Sequence, residues 1–364
     1  MHVGYSAIFQ GSDDPGEDQD VWRGDLRLAA MAEPLGFDSI WSVEHHFTGY
    51  TMCPDPLTLM SYLAGVTQRV QLGTMVVVLP WHDPVRVAEQ AVMVDTVSQG
   101  RLILGLGRGL GRVEFDGFRV PMGESRGRFT EYAELLIDAL ETGVVQYDGE
   151  FIKQPARALR PSPLRSFGGR IFASSVSPES WPIMARLGVG LLIIPQKPWE
   201  TVVEELNGYR ELYLEVNGVE APKPIVAGWT FVDPDADRAK EVGKKYLGAY
   251  YDTVMNHYEF TAGHLATTPG YEHYGRIASS IDKHGAQVQS DFFSDLQVYG
   301  TPKQCVERIT EIQRMTGAES YIAVCRYAGM GFDEAERNMR LFASDVMPQI
   351  RTLSDEPAFS MMKV

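Results

Sequence analysis

The chain is poor in cysteine, has no long apolar segment, and carries more acidic than basic residues. Its 364 residues include three cysteines, Cys53, Cys305 and Cys325, an odd number without metal-type spacing. That pattern argues against a disulfide framework and suits a reducing compartment. No apolar run approaches the ~20 residues that a membrane-spanning helix needs, and the amino terminus lacks the basic and apolar segments of a signal peptide. The sequence therefore predicts a cytoplasmic protein without a membrane partner.

Positive charge is scarce as well. The formal net charge is −15, and no cluster of lysine and arginine stands out. Nucleic-acid binding needs such a cluster, because the protein must neutralise phosphates. The sequence therefore predicts no nucleic-acid partner.

Several well-known catalytic motifs are also missing. The glycine-rich stretch Gly105–Arg112 is not a dinucleotide fingerprint, because the third required glycine falls at Leu110. There is no Gly-Lys-Ser or Gly-Lys-Thr at the end of a glycine loop, no Gly-x-Ser-x-Gly, and no His-Glu-x-x-His. Glu44, His45 and His46 are adjacent, so they point in different directions and do not form a zinc motif. We therefore expect no bound metal.

Short apolar segments alternate with longer amphipathic ones along the whole chain, which is typical of repeated strand–helix units around a parallel sheet. About eight strands predict one (β/α)8 TIM barrel domain over residues 1–364. The predicted strands are 2–9, 37–43, 70–79, 101–107, 170–175, 188–195, 223–232 and 319–326. Insertions are expected at 145–169, after strand 4, and at 260–300, between strands 7 and 8, where a mobile lid fits.

The run Trp41–Thr48, at the exit of the second predicted strand, contains two histidines and a carboxylate. Imidazole titrates near neutral pH, and the carboxyl ends of barrel strands face the site. His45 is therefore a candidate for proton chemistry, with a hydrogen-bonded core or surface histidine as the alternative. Glu114 is a candidate partner that would tune the pKa of a histidine, or else a solvated surface carboxylate.

Two further stretches suit an anionic ligand. Arg108 follows the glycines of the fourth strand, and Ser174, Ser175 and Ser177 follow the fifth strand. An arginine with hydroxyls at a helix start binds phosphate well. The alternatives are a tight turn at the glycines and a plain helix N-cap at Ser177, which precedes Pro178.

These residues together resemble the luciferase-like flavin-dependent monooxygenases, including the alpha chain of bacterial luciferase. The similarity spans nearly the whole chain. It rests on the order and spacing of several motifs, namely Glu44–Thr48, Leu72–Thr74, His82–Arg86, Arg108–Leu110, Gly300–Pro302 and Leu341–Pro348.

The resemblance implies a barrel that takes reduced FMN from a separate flavin reductase and reacts it with dioxygen to a flavin peroxide. This peroxide would oxygenate a small, largely apolar substrate such as an aldehyde, ketone or hydrocarbon. A homodimer or heterodimer is also implied. His45 then matches the family's catalytic histidine, and Glu114 a carboxylate position beside it.

The resemblance also implies a cofactor site. Arg108 and Ser175 match phosphate-binding positions, with Ser174 and Ser177 nearby. The other implied positions are Met75–Val76, where a non-prolyl cis peptide lies beneath the isoalloxazine, Gly107, and Tyr250 near the flavin. Gly107 stands where luciferase has a reactive cysteine, which is expected to enlarge or alter the pocket, and Ser174 stands where luciferase has an acidic residue.

Two other functions remain open. A deazaflavin-dependent hydride-transfer oxidoreductase uses the same barrel, but its acidic cofactor suits this acidic chain less well. A non-catalytic flavin-binding subunit is the second alternative, and the presence of His45 with Arg108 argues against it.

Overall fold

The computed structural model describes residues 1–12, 14–174, 176–276, 283 and 285–353, and within these ranges it contains twelve strands. In chain order they are β1 (His2–Ala7), β2 (Ser39–Ser42), β3 (Gln71–Thr74), β4 (Val77–Val78), β5 (Leu102–Gly107), β6 (Val144–Asp148), β7 (Lys153–Ala158), β8 (Ile171–Ser174), β9 (Gly190–Ile193), β10 (Ile225–Val232), β11 (Val298–Gly300) and β12 (Ser320–Val324).

Eight of these strands form a closed parallel barrel. The order around the barrel is β1, β2, β3, β5, β8, β9, β10 and β12, and β12 pairs back onto β1. All eight predicted strands lie at the expected positions. The third predicted strand, 70–79, is two strands, because β3 pairs with the start of β5 and β4 with its end. The predicted TIM barrel is confirmed.

Helices surround the barrel and cover one end of it. Among the described residues the α-helices are α1 (Asp18–Ala32), α2 (Pro56–Val66), α3 (Pro84–Val97), α4 (Arg112–Phe118), α5 (Ser125–Thr142), α6 (Trp181–Leu187), α7 (Trp199–Asn217), α8 (Ala236–His257), α9 (His264–Thr267), α10 (Ala286–Leu296), α11 (Pro302–Thr316), α12 (Phe332–Leu341) and α13 (Met347–Ile350). Local sequence fixes several starts: Asp83 caps α3 ahead of Pro84, and Thr301 with Gln304 forms a capping box on α11.

Both insertions are present. The stretch 145–169 contains most of an antiparallel hairpin formed by β6 and β7. The second insertion begins earlier than expected, because α8 already lies over the carboxyl end of the barrel. Tyr250 of α8 packs on Trp229 of β10 with ring centroids 4.4 Å apart. Residues 277–282 and 284, which belong to the expected lid, lie outside the described residues.

The barrel interior is filled by large apolar side chains, and glycines on neighbouring strands make room for them. The cluster contains Trp41, Met75, Ile103, Phe172, Leu192, Ile225, Ala227 and Ile322. A Cβ at Gly73 would lie 2.2 Å from the Trp41 ring, so a side chain there would clash with it. The interior is therefore packed, and open space is left at its rim.

The three cysteines are free and buried, and burial raises the pKa of each thiol. Each of them therefore packs as a small hydrophobic side chain. Among the described residues, no helix combines the length and apolar character that crossing a membrane requires.

Candidate active site

A cavity of about 150 Å³ lies at the carboxyl ends of the barrel strands. His45, from the segment after β2, lines one part of it, and Arg108, from the turn after β5, lines another. Met75 and Val76, Gly107 and Ser174 line it as well. The topology thus brings together residues that are far apart in the sequence, as the barrel prediction requires.

His45 is held by Glu114. The Nδ1–H of His45 donates to Oε1 of Glu114 at 2.9 Å, and the His45 side chain is 15% exposed. The opposite ring nitrogen, Nε2, lies 3.4 Å from the hydroxyl of Tyr258. Because Nδ1 is engaged, Nε2 is the ring atom of His45 that can exchange a proton with a ligand.

Glu114 is fully buried on α4 and ionised. Burial by itself would raise its pKa, but the charge of His45, the nearby His257 ring and the hydrogen bond from His45 outweigh burial and lower the pKa to about 2. Oε1 also accepts the backbone N–H of His46 at 2.9 Å. The predicted pairing of Glu114 with a histidine is confirmed, and the surface alternative is wrong.

His46 belongs to a second carboxylate cluster. Its Nε2–H donates to Oε1 of Glu44 at 3.0 Å, and His82 donates to the same oxygen at 2.6 Å. The backbone N–H of Val78 donates to Oε2 of Glu44 at 2.8 Å. Burial opposes ionisation of Glu44, but these hydrogen bonds keep its pKa below the ordinary value. As expected from their adjacency, His45 and His46 point to different partners.

The peptide bond between Met75 and Val76 is cis, as the resemblance implies. Gly107 lies against this bond, since a Cβ at Gly107 would be 2.2 Å from Cγ2 of Val76. The expectation that Gly107 enlarges the pocket is therefore corrected in part: the isopropyl group of Val76 fills the space that a side chain at position 107 would occupy.

Two arginines converge at the other end of the cavity. Arg108 and Arg126 both donate to the backbone carbonyl of Gly270, at 2.7 and 3.2 Å. The Arg108 guanidinium also lies 4.0 Å from the ring centroid of Tyr271. Glu179 is 3.9 Å from Arg126. One neutral carbonyl oxygen therefore receives both guanidinium groups, which is an arrangement that an anionic oxygen would fit better.

The structure separates the predicted serines. Ser174 lines the cavity, together with Ser180, whereas the buried Ser177 bonds to the Ser180 hydroxyl at 2.7 Å. The interpretation of Ser177 as a helix N-cap is wrong, because α6 begins four residues later, at Trp181. Ser175 lies outside the described residues.

Tyr250 lies in a neighbouring cavity. This second cavity has a volume of about 240 Å³, and aromatic rings dominate its walls, including those of Trp229, Tyr250, Tyr251 and Phe293. The hydroxyl of Tyr250 shares a hydrogen bond of 2.8 Å with that of Tyr50. The two cavities share Val176, Gln196, Val254 and Phe260 as wall residues.

Three residues of the site were missed at the sequence level. His257 ends α8 and faces Glu114, Tyr258 follows it, and Arg126 starts α5. None belongs to a short motif. The amphipathic pattern of a helix gives only its core face, and each of these residues is at a helix end, where that pattern stops.

The family model described as luciferase-like monooxygenase matches residues 1–319. The chain belongs to this family. Its sequence is 29% identical over 343 residues to the alkanal monooxygenase alpha chain of Photorhabdus luminescens, covering 91% of this chain and 93% of that one. It is 25% identical over 330 residues to the oxygenase component of the flavin-dependent trigonelline monooxygenase of Acinetobacter baylyi, covering 89% and 88%.

Solved structures agree with this assignment. The monooxygenase RslO1 from Streptomyces bottropensis superposes with a TM-score of 0.73 at 27% identity, covering 96% of this chain and 99% of that one. An F420-dependent secondary alcohol dehydrogenase shares the fold, with a TM-score of 0.70 at 16% identity and coverage of 96% and 99%. The prediction of a flavin-dependent monooxygenase is confirmed at the level of the family, and the fold alone does not choose between flavin and deazaflavin.

Proposed function

We propose that this protein is the oxygenase component of a two-component monooxygenase. It takes reduced FMN from a separate flavin reductase and places one atom of dioxygen into a small, largely apolar aldehyde, ketone or hydrocarbon, while the other atom leaves as water. The observation that carries this proposal is one cavity with a histidine–carboxylate pair on one wall and two convergent arginines on another.

The residues present fit FMN. Arg108 and Arg126 are placed to hold the phosphate, with Ser174 in the same cavity and Ser175 and Ser177 adjacent in sequence. Met75, Val76 and Gly107 supply a side-chain-poor, apolar wall for the planar ring system. Reduced FMN, when bound, supplies the two electrons that activate dioxygen.

His45 carries the proton chemistry in this proposal. Glu114 accepts the Nδ1–H of His45 and so leaves the Nε2 lone pair free to take a proton from a group in the cavity or to return it. Since Glu114 remains ionised across the working pH range, it also stabilises the imidazolium that forms.

The aromatic second cavity supports an apolar substrate. An apolar cavity of 150 Å³ holds benzene in a protein interior, so about 240 Å³ accepts a somewhat larger compound. Tyr250 therefore belongs to the substrate side of the site in this proposal, and Phe260 and Val254 separate it from the flavin side.

Self-association is supported by apolar residues on two adjacent helices. Tyr62 and Val66 on α2, and Met93 and Val97 on α3, are each more than half exposed. The i, i+4 spacing places each pair on one helix face, and α2 packs against α3. We infer that this patch, called the α2–α3 patch below, mediates dimerisation.

The deazaflavin alternative rests on the shared fold. A net charge of −15 opposes a cofactor with an acidic tail, whereas the two arginines suit the single phosphate of FMN. The alternative of a non-catalytic subunit is opposed by the His45–Glu114 pair, which a flavin-binding scaffold does not need.

The test begins with anaerobic titration of the protein with reduced FMN and, separately, with reduced deazaflavin cofactor. We expect binding of reduced FMN and weaker binding of the other. A reductase-coupled reaction under ¹⁸O₂ with a panel of apolar carbonyl compounds should then give a product that is heavier by one labelled atom. No binding of reduced FMN, or unlabelled product, would contradict the proposal.

A further inference from the structure

His257 lies behind the His45–Glu114 pair and completes it. Its side chain is 1% exposed, and its Nε2 is 3.5 Å from Oε2 of Glu114. Its ring stacks on that of Tyr50 at 4.5 Å and meets the edge of the His45 ring at 5.1 Å. One ring nitrogen of each histidine and one oxygen of the carboxylate lie within 4.8 Å of one another.

The second oxygen of Glu114 has no other partner. Oε1 already accepts two hydrogen bonds, from His45 and from the backbone of His46. Oε2 of Glu114 and Nε2 of His257 are both buried without a hydrogen bond, and they face each other. A Cβ at Gly111 would lie 2.3 Å from Oε2, so the glycine leaves this oxygen free of competing side chains. A buried carboxylate oxygen needs a donor, and His257 is the group in place to supply one.

Glu114 and Thr48 together decide which nitrogen of His257 carries the proton, because a carboxylate oxygen can only accept whereas a hydroxyl can donate or accept. The backbone N–H of Tyr50 donates to the Thr48 hydroxyl oxygen at 3.3 Å, and that hydroxyl lies 2.9 Å from Nδ1 of His257. Since the oxygen accepts from Tyr50, its own proton is available to Nδ1. A neutral His257 then carries its proton on Nε2, which points at Glu114.

We propose that His257 is a positioning residue for His45, acting through the shared carboxylate of Glu114. Its Nε2–H holds Oε2, which fixes the plane of the carboxylate so that Oε1 stays on Nδ1 of His45. The catalytic Nε2 of His45 is thereby kept toward the cavity. This inference rests on the proposed role of His45 in proton transfer, and it adds a residue from α8 to a pair formed by α4 and the segment after β2.

The charges around the two rings support this arrangement. Glu114 faces the rings of His45 and His257 from α4, and Thr48 and Tyr50 face them from the segment after β2. Tyr258 and Glu259 face them from the residues after α8, and Glu259 is paired with Arg112. Burial lowers the pKa of His257 and outweighs the opposing effect of the Glu114 carboxylate, so the ring is neutral near pH 7. A neutral ring can act as the single-proton donor that the geometry requires.

Histidine side-chain NMR of the flavin-free protein tests this directly, because the chain has only eight histidines. We expect His257 in the Nε2–H form and His45 in the Nδ1–H form. In His257→Phe, which keeps a ring against Tyr50 but has no donor, we expect His45 to show both tautomers, because the plane of the Glu114 carboxylate is no longer fixed. His257→Gln restores a donor and should restore the single Nδ1–H form of His45.

Thr48→Val provides a second route if the Phe variant does not fold. It removes the hydroxyl that hydrogen-bonds to Nδ1 of His257, so the ring of His257 is held less firmly and we expect both tautomers of His45. A wild-type His257 in the Nδ1–H form, or a His45 that keeps the single Nδ1–H form in both His257→Phe and Thr48→Val, would overturn the proposal. The measurement needs neither flavin nor oxygen, so a failure of the proposed monooxygenase function leaves its outcome readable.

Activity gives an independent readout where the proposed function holds. His257→Phe should lower kcat about tenfold with little change in KM, and His257→Gln should restore most of kcat. A purely structural role would lower thermal stability and leave kcat per folded molecule unchanged.

Discussion

At the scale of single residues, the adjacent histidines His45 and His46 hydrogen-bond to different carboxylates. Glu114 holds His45 at the cavity, whereas Glu44 ties His46 and His82 into a buried network that also caps the backbone of Val78. In the proposed function the chemistry depends on His45, whereas His46 belongs to the buried network of the rim.

His45→Ala should lower kcat by roughly 10²- to 10⁴-fold, the range typical of a lost general acid–base group. Affinity for FMN should remain unchanged, because His45 lies away from the two arginines. His46→Ala serves as the control: its thermal midpoint should fall, since Glu44 loses a buried partner, while kcat per folded molecule falls much less. Equal losses of kcat in both variants would remove His45 from its assigned role.

The low pKa of Glu114 in the folded protein predicts that the free energy of unfolding depends on pH. Its pKa of about 2 in the folded protein lies below the ordinary value of 4.5, so the folded state prefers the ionised form. The resulting contribution of about 3 kcal/mol is fully present above pH 4.5 and is lost as the pH falls toward 2. Urea unfolding of the wild type and Glu114→Gln between pH 3.5 and 7 should give a difference that shrinks below pH 4.5. A difference that grows on acidification would contradict this expectation.

At the scale of elements, the site is formed by loops that follow strands far apart in the chain. The turn after β5 supplies Arg108, the start of α5 supplies Arg126, and the second insertion supplies the carbonyl of Gly270 that both contact. The insertion thus contacts both the anion-binding end and, through α8, the histidine end of the same cavity.

Arg108→Ala and Arg126→Ala should each weaken FMN binding about 10- to 100-fold, because a hydrogen bond to a charged group contributes about 1.5–3 kcal/mol. Riboflavin, which lacks the phosphate, should bind both variants as it binds the wild type. Arg86→Ala, which removes an exposed arginine of α3, is the matched control. Flavin fluorescence quenching measures all of these affinities, and an equal loss for riboflavin would show that the arginines do not act on the phosphate.

At the scale of the whole molecule, the proposed dimer can be tested at the α2–α3 patch. Tyr62→Lys combined with Met93→Lys should halve the mass measured by light scattering, because each protomer would bring two charges into the two-fold interface. Leu214→Lys on α7, which replaces an equally exposed apolar residue, should leave the mass unchanged. A wild-type monomer would exclude the dimer.

Much of the architecture could be predicted because it depends on short-range pattern. The alternation of apolar and amphipathic segments placed all eight barrel strands, and Asp83–Pro84 and Thr301–Pro302 marked helix starts. His45, Glu114 and Arg108 followed from motifs at strand exits. The alternative of a helix N-cap at Ser177 was wrong, because its local sequence suits a turn equally well, and α6 starts only at Trp181.

The sequence by itself determined the barrel and the family and singled out His45 as a candidate, since strand periodicity and motifs at strand ends are local properties. Only the tertiary structure decided which carboxylate bonds to which histidine and that Arg126 lies beside Arg108. It also decided that His257, which is 143 residues beyond Glu114 in the chain, lies against the Glu114 carboxylate. The physical reason is that these contacts join the ends of elements that are distant in sequence. Their geometry depends on how the barrel closes and how α8 lies over its mouth, and no single segment encodes either.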